Sequence, residues 1–399
     1  MRVLVCLVEE RPYEEGVEEG KALGAEKLRE EIRTLREDPL LKPTYGQMTD
    51  AELGRLLDER MAVTPDMGRF PELAELHPEA IDRLRGKAVG AGVCLYEAAL
   101  HDYLRYRRDQ IFWWREYQEP PAADRRPPTG CSGVILVGEE IWLGKNVDSV
   151  PVEYPTPKVK GDRVVVKKPR TGYAPLPVVS EGGIAGSGGA SVGIWMDEPQ
   201  EDVWPYTRFP VTRFASSVAE VADLYQRYTL YLPGRGADGF LDRKGDAISV
   251  DKSYRRVGIS KARDGLIWYT EGHFQSENMR QFLAERRAMF AQRFGITLGS
   301  YHNQYYADCA VRFVNMGRLA ELPLDRRYNH IRTILGDHSP FPRALCRHDG
   351  PDRADYDKSV TLVSRTIDYA RRTIYERYTS PERFCCEQPD KVFEFVIPS

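Results

Sequence analysis

One hydrophobic hairpin pattern lies near the middle of the chain. Apolar residues fill positions 134–137 and 141–143, and Gly138-Glu139-Glu140 separates the two runs. Short apolar runs joined by a polar turn are typical of two buried strands in a hairpin. A Pro-rich polar segment ends at Gly130, so Cys131 opens the first strand, and Asp148 closes the second. The pattern therefore predicts that one end of this hairpin brings a thiol near a carboxylate.

Helical periodicity lies on both sides of this hairpin. Residues 13–35 are rich in Glu, Lys, Ala and Leu and predict a helix, in which Gly16 and Gly20 share one face. Glycines on one helix face let a neighbouring element approach closely. Other segments with helical spacing or capping signals predict further helices: 81–92, 217–225, 276–294, 302–314 and 325–335. An aromatic stripe at 101–117 predicts core residues, and the alternative is that part of it lines a ligand pocket.

Strand patterns occupy much of the remaining chain. The apolar start at residues 3–8 is too short for a secretory signal and predicts a first strand. Turn residues at 244–246 and 264–265 divide residues 238–274 into a meander, and three strands are predicted near the C-terminus at 361–367, 373–378 and 392–397. Strand-rich blocks that alternate with helix-rich blocks predict an α+β layered fold.

Composition narrows the functional classes. The formal charge is −3, from 57 Lys and Arg against 60 Asp and Glu, so neither nucleic acid nor a membrane surface is expected as a partner. Seven cysteines without regular spacing do not suggest a disulfide framework, and a cytoplasmic location is expected. The sequence leaves self-association open.

The spacing of His and Cys gives no metal signature. The seven His residues are scattered without HxxxH or HxH spacing, and the adjacent pair Cys385-Cys386 forms no CxxC motif. A glycine-rich stretch at 182–193 lacks the GxxxxGK[ST] pattern of a phosphate loop. Neither a metal nor a cofactor is expected.

The order of landmarks resembles a known family. Gly130-Cys131 at a strand start, a turn, a returning strand and Asn146-x-Asp148 are similar to the penicillin-acyltransferase branch of the N-terminal-nucleophile hydrolases. Gly16-x-x-x-Gly20, Asp337-His338 and Cys346-Arg347-His348 follow the order of that family's other landmarks. The resemblance implies a four-layer α-β-β-α sandwich. It also implies self-cleavage between Gly130 and Cys131, with residues 1–130 and 131–399 folding as one unit.

The resemblance also implies a chemistry. Cys131, once freed, would be the nucleophile, and its α-amino group, with a reference pKa of about 7.7–8.0, would accept the thiol proton. Asp148 would orient that amino group. The substrate would be a small-molecule amide or acyl donor, the intermediate an acyl-enzyme, and the acceptor water or an amine.

Several positions depart from the family pattern. Lys145 lies where related enzymes often have Arg, Ser191 replaces an Asn, and Thr270-Glu271-Gly272-His273 replaces the "T-N-H" phrase that supplies the oxyanion donor. An Arg expected after a Ser is missing from residues 300–303. The candidates for a replacement donor or pocket residue are Lys145, Ser191, Gly272, His273 and Asn278.

Two alternatives stand beside this interpretation. A Cys is commonly a small buried hydrophobe, and a His at a strand end is commonly a structural residue, so Cys131 and His273 each have a structural reading. The other functional hypothesis is a non-catalytic relative with the same fold that binds a small molecule or a partner. Gly272 and Asn303 favour this binder, whereas Gly130-Cys131 and Asp148 favour the enzyme.

Overall fold

A computed structural model describes most of the segments that carry the predicted elements. The described residues are 4–5, 12–61, 78–118, 130–149, 158–160, 163–165, 178–179, 182–187, 215–227, 236–253, 255–270, 273–294, 301–323, 325, 327–339, 343–348, 360–380 and 383–395. Among these residues, no helix is long and apolar enough to cross a membrane.

The N-terminal part of the chain is a helical unit with its own core. Its helices are α1 Pro12–Leu23, α2 Ala25–Glu37, α3 Asp50–Met61, α4 Pro78–Ala91 and α5 Leu95–Gln118. Their apolar faces meet in one buried cluster that includes Leu28, Leu53, Leu84, Tyr103 and Leu104. The predicted aromatic stripe therefore contributes to a core at Tyr103. The single helix predicted over 13–35 is wrong in one respect, because Gly24 adopts φ +73° and divides it into α1 and α2.

Glycine makes the contact between α1 and α4 unusually close. A Cβ atom on Gly16 would lie less than 3.0 Å from the backbone of Arg83, and one on Gly86 would lie equally close to Tyr13. Gly20 and Gly90 show the same relation to the facing helix. The prediction that Gly16 and Gly20 permit close approach is confirmed, and α4 supplies a matching glycine pair.

Replacing Gly86 with alanine should lower the free energy of unfolding by about 1–3 kcal/mol, because the added methyl group forces two packed backbones apart. The matched control is Gly54→Ala in α3, where the new Cβ would meet only the Tyr96 ring at 3.7 Å. There the better helix propensity of alanine should leave stability unchanged or raise it by up to about 1 kcal/mol. Urea unfolding of both variants measures the difference, and equal effects would contradict the account of this contact.

Two sheets form the rest of the fold. The strands are β1 Leu4–Val5, β2 Gly130–Val137, β3 Ile141–Ser149, β4 Lys158–Lys160, β5 Arg163–Val165, β6 Val178–Val179, β7 Ala185–Ser187, β8 Gly236–Leu241, β9 Ala247–Lys252, β10 Val257–Lys261, β11 Leu266–Thr270, β12 Val360–Asp368, β13 Thr373–Tyr378 and β14 Lys391–Phe395. The first sheet has the order β11-β2-β3-β12-β13-β14-β1-β5-β4, and the second has the order β10-β9-β8-β7-β6. Pairing is antiparallel except where β1 lies parallel to β14 and β5. The predicted first strand and central hairpin are confirmed, and the meander divides because β11 leaves it to join β2.

The remaining helices cover the outer faces of the sheets. They are α6 Val218–Arg227, α7 Glu277–Phe294, α8 Tyr301–Ala320 and α9 Tyr328–Leu335. Helix α8 runs beyond its predicted end and includes Gly317. A Cβ atom at Gly317 would lie 2.7 Å from the Trp268 ring, so glycine at this position lets the helix pass close to that ring.

The buried clusters define four layers. Met316 of α8 and Ile331 of α9 pack with Val134 on one face of the first sheet. Ile135 and Leu143, on the opposite face, pack with Leu241 and Ala247 of the second sheet. The outer face of the second sheet packs against α6 through residues that include Val221, Phe240 and Val250. The predicted α+β fold and its α-β-β-α order are therefore confirmed.

Candidate functional site

The β2–β3 hairpin fixes the positions of Cys131 and Asp148. Cys131 lies opposite Val147, and Gly130 lies opposite Asp148. Because side chains alternate between the two faces of a strand, Cys131 belongs to the face toward the second sheet and Asp148 to the face toward α8. The structure thus places both residues at one end of the hairpin, as predicted, but the thiol and the carboxylate project from opposite faces.

Cys131 is enclosed on its own face. Its side chain packs with Val147, Val363 and Tyr378, which form one row across β3, β12 and β13. The residue is only 2% exposed. In the uncut chain the thiol therefore lies inside the sandwich, at the start of β2 and one residue after Gly130.

Tyr269 of β11 pairs with Gly133, which is the next residue after Cys131 on the same face of β2. Its ring fills the space that Cβ atoms on Gly133 of β2 and Gly239 of β8 would need, so two glycines make room for one aromatic ring between the sheets. The hydroxyl donates a hydrogen bond of 2.7 Å to Ser187 Oγ on β7. Burial raises the pKa of Tyr269, so the phenol remains protonated and can act as a donor.

A row of charged side chains crosses the same inter-sheet face. Lys145 lies opposite Gly133 on one side and Arg365 on the other, and its side chain is fully buried. Arg365 pairs with Glu376, and Tyr378 donates a hydrogen bond to the same carboxylate. The predicted pocket residue Lys145 is therefore two residue pairs along the hairpin from Cys131, which makes it the next position on the same face, in a polar row that borders the thiol.

On the helix-facing side, Asp148 joins a buried ionic network. Thr361 Oγ1 donates a hydrogen bond of 2.7 Å to Asp148 Oδ1, and Arg347 N donates one of 2.8 Å to Thr361 Oγ1. Asp148 Oδ2 lies 3.4 Å from Arg347 Nε and 3.6 Å from Arg312 Nη1. Burial raises the pKa of Asp148, although the two guanidinium groups act in the opposite direction.

A second carboxylate completes the network. Asp308 accepts a hydrogen bond from Arg347 and one of 3.1 Å from Arg312 Nε. Two carboxylates and two guanidinium groups therefore share one dry site, which balances its formal charge. Arg312 Nη1 also donates to Ser132 Oγ at 2.9 Å and to the carbonyl oxygen of Cys131 at 3.4 Å. The network thus holds the backbone of the strand that bears the thiol.

Asn146 anchors the same hairpin. Its Nδ2 donates hydrogen bonds of 2.7 Å to the Leu335 carbonyl and 2.9 Å to the Leu345 carbonyl. One side chain therefore joins β3 to the end of α9 and to the segment before Arg347. This gives Asn146 a positioning role in the Asn-x-Asp motif.

His273 has a structural setting in the described part of the chain. It forms a bridge with Thr270, and its ring packs at a tilt of 45° against Phe313 of α8, with ring centroids 4.3 Å apart. Burial, together with the nearby cations Arg280 and Arg287, lowers the pKa of His273 to about 4. The imidazole is therefore uncharged at neutral pH and lies on the helix side of β11.

The lowered pKa of His273 predicts an acid-sensitive contribution to stability. Because the folded state keeps the imidazole neutral, this contribution is complete above the unfolded pKa of 6.5 and is lost progressively as the pH falls to about 4. Between about pH 7 and about pH 5, the wild type should lose about 2 kcal/mol more than His273→Gln. Urea unfolding at both pH values measures this, and parallel pH profiles would contradict it.

Of the other donor candidates that the structure describes, neither His273 nor Asn278 lies beside Cys131. Asn278 is exposed at the start of α7, and its Nδ2 donates a hydrogen bond of 3.0 Å to the Val257 carbonyl on β10. Ser191 and Gly272 lie outside the described residues. Lys145 is thus the predicted donor candidate that the structure places nearest to the thiol along the sheet.

Sequence reasoning missed Tyr269, Asp308, Arg312 and Thr361 as site residues. The spacing of Asp308 and Arg312 is i, i+4 on one helix, a signal for a side-chain pair on a shared face. Arg347 was recognised as part of a family landmark, but its contact with Asp148 joins residues far apart in sequence. Arg312 also gives α8 an arginine at the hairpin, although residues 300–303 contain none.

Comparisons with known proteins give structural neighbours only. No protein-family model matches the chain, and no curated protein matches it. A mutant of conjugated bile acid hydrolase from Clostridium perfringens is 12% identical, with a TM-score of 0.38, over 67% of this chain and 98% of that one. Penicillin V acylase from Agrobacterium tumefaciens is 13% identical, with a TM-score of 0.37, over 66% and 84%.

A second variant of the Clostridium hydrolase is 12% identical, with a TM-score of 0.34, over 67% of this chain and 90% of that one.

Proposed function

We propose that this protein is a self-processing cysteine amide hydrolase or acyltransferase that acts on a small-molecule amide or acyl donor. One observation carries the proposal. Cys131 follows Gly130 at the start of a core strand, and the Arg312 network holds the backbone of that strand. Residues 1–130 and 131–399 are the two products of cleavage at this position.

The first step is intramolecular. The Cys131 sulfur attacks the carbonyl carbon of Gly130, the C–N bond of the peptide breaks, and the thiol proton passes to the departing nitrogen. The resulting thioester reacts with water, which leaves a carboxylate on Gly130 and a free thiol and amine on Cys131. The reacting groups belong to adjacent residues, so a thiol that is only 2% exposed still reaches its target.

Processing then creates the catalytic pair on one residue. The new α-amino group accepts the thiol proton, and the thiolate attacks the amide carbonyl of the substrate. The substrate amine leaves with a proton, and water or another amine releases the acyl group from sulfur. In this proposal Asp148, on the other face of the hairpin from the thiol, acts on the new amine indirectly. Its partner Arg312 holds the Cys131 carbonyl and Ser132 Oγ.

Donors for the developing oxyanion are available on the inter-sheet face. The Tyr269 phenol remains protonated and would turn its one O–H from Ser187 Oγ to the oxyanion. Lys145 lies in the row that borders Cys131. Losing one preorganised donor typically costs about 10²–10³ in rate. In this proposal Tyr269 and Lys145 replace the missing family asparagine.

Intact-mass spectrometry of the purified chain tests the proposal. The wild type should separate into two fragments that part between Gly130 and Cys131, whereas Cys131→Ala should remain a single chain. Cys94→Ala is the matched control, because Cys94 is an exposed cysteine on the helical unit, and it should be cut like the wild type. A wild type that stays uncut and whose Cys131 also resists acyl probes that label the exposed Cys94 would contradict the proposal.

The burial of Cys131 favours a second candidate, a non-catalytic protein of the same fold that binds a small molecule or a partner. In that case the thiol is a packing residue among Val147, Val363 and Tyr378. The same mass measurement separates the two candidates, because the binder leaves both the wild type and Cys131→Ala uncut and equally labelled, at cysteines other than Cys131.

A further inference from the structure

Four residues with metal-ligating side chains converge on the helix-facing side of the first sheet. They are His338, Cys346, His348 and Cys386, and their potential ligand atoms all lie within 4.8 Å of one another. His348 Nε2 lies 3.5 Å from Cys346 Sγ and 3.0 Å from Cys386 Sγ. The sequence expectation of no metal considered only residues close together in the chain, whereas these four come from three separate segments.

The distances suit one small tetrahedral ion. A zinc ion holds sulfur at about 2.3 Å and imidazole nitrogen at about 2.0–2.1 Å, which places neighbouring ligand atoms about 3.5–3.8 Å apart. One observed nitrogen–sulfur separation, 3.5 Å, lies at the short end of that range, and the other, 3.0 Å, would lengthen by about 0.5 Å on coordination. Two thiols and two imidazoles are also the donor set of structural zinc sites, which are closed and four-coordinate.

The surrounding structure holds the ligands in place independently of any ion. Cys346 N donates a hydrogen bond of 2.9 Å to the Asp337 carbonyl, which ties the His338 segment to the Cys346 segment. Cys385 N donates one of 3.0 Å to Thr379 Oγ1 at the turn that carries Cys386. The His348 ring stacks on Phe384 with centroids 3.9 Å apart. The ligand geometry is therefore built into three packed segments.

We propose that His338, Cys346, His348 and Cys386 form a structural zinc site. Coordination would pin Cys346 and His348 on either side of Arg347, whose guanidinium lies 3.4 Å from Asp148. The ion would thereby fix the direction in which Arg347 enters the ionic network behind the β2–β3 hairpin. The proposal does not depend on the chemistry of Cys131, because its readout is bound metal.

Metal analysis of the full-length chain tests the site. Protein purified in reductant, supplied with Zn²⁺ and then dialysed, should retain about one zinc per chain. Cys386→Ser should weaken zinc binding at least about tenfold, since even outer-shell changes at zinc sites cost about 10–100-fold. Cys94→Ser is the matched control, because Cys94 is an exposed cysteine in the helical unit, and it should retain zinc like the wild type.

Cobalt provides a second readout that does not require a variant. Wild-type protein loaded with Co²⁺ should show the visible absorption of a tetrahedral ion together with a thiolate-to-cobalt charge-transfer band, even if Cys386→Ser fails to fold. A wild type that binds neither Zn²⁺ nor Co²⁺ would overturn the proposal. Equal zinc retention by Cys386→Ser and Cys94→Ser would also overturn it. So would a metal-free protein with a disulfide between Cys346 and Cys385, whose sulfurs lie 3.9 Å apart.

Discussion

Arg312→Met is expected to lower the free energy of unfolding by about 3–5 kcal/mol and to prevent processing at Cys131. Methionine fills much of the same space but leaves Asp148 and Asp308 with Arg347 as the single guanidinium in this network. Removing one member of a buried charge cluster leaves an uncompensated buried charge, which lowers the free energy of unfolding more than replacing the whole cluster would. The hydrogen bonds to Ser132 and to the Cys131 carbonyl are lost as well.

Arg318→Met is the matched control for this variant. Arg318 lies on the same helix, is exposed, and donates a hydrogen bond of 3.0 Å to Asn315. Surface replacements of this kind usually change stability by less than about 0.5 kcal/mol. Urea unfolding gives the stability of both variants and intact mass gives their processing. Similar losses in the two variants would show that Arg312 is not the centre of a buried network.

Asp148→Asn is expected to slow processing at Cys131 by about a hundredfold or more while costing less stability than Arg312→Met. The amide oxygen can still accept the hydrogen bond from Thr361, so the local packing is retained. Because burial already raises the pKa of Asp148 and disfavours its charge, a neutral replacement loses less folding energy than a lost arginine. Misplacement of reacting groups by about 1 Å commonly costs about a hundredfold in rate.

A time course of intact mass measures the processing rate of this variant. The control is Asp82→Asn, because Asp82 forms an exposed pair with Arg85 at 3.4 Å on the helical unit. Processing of the control should match the wild type. If Asp148→Asn matured at the wild-type rate, Asp148 would have no part in the reaction and would be a structural partner of the two arginines.

Local patterns in the sequence predicted the parts of the fold that depend on neighbouring residues. The hairpin followed from two apolar runs and a polar turn, and the close helix contact followed from Gly16 and Gly20. The split at Gly24 was missed, because a glycine within a helical pattern does not reveal whether its φ is positive. The meander was correct strand by strand, but its division between two sheets depends on the partners of β11, which no local pattern specifies.

The site was predicted only where its residues are adjacent in the chain. Cys131, Lys145 and Asp148 lie on one hairpin and were identified. The ionic network unites Asp148 with Asp308 and Arg347, from different elements, and neither spacing nor composition connects them. The thiol and the carboxylate project from opposite faces because side chains alternate along a strand. The hairpin register, in which Asp148 pairs with Gly130 and not with Cys131, decides this.

The Cys and His cluster was missed for a related reason. Metal signatures are recognised by short spacings between ligands. Here Cys386 lies close to His338 and Cys346 only because the chain returns to them after β13. The fold brings these ligands within 4.8 Å of one another, which their spacing in the sequence does not indicate.

Peptide mapping after exposure to an activated acyl ester tests the central claim most directly. The account predicts a fragment that begins at Cys131 and carries one acyl group on that residue, placed on sulfur in the folded protein and moved to the α-nitrogen by the S-to-N shift after denaturation. It predicts no such adduct in Cys131→Ala. An intact peptide that spans Gly130 and Cys131, with its thiol unmodified in folded wild-type protein, would contradict the claim.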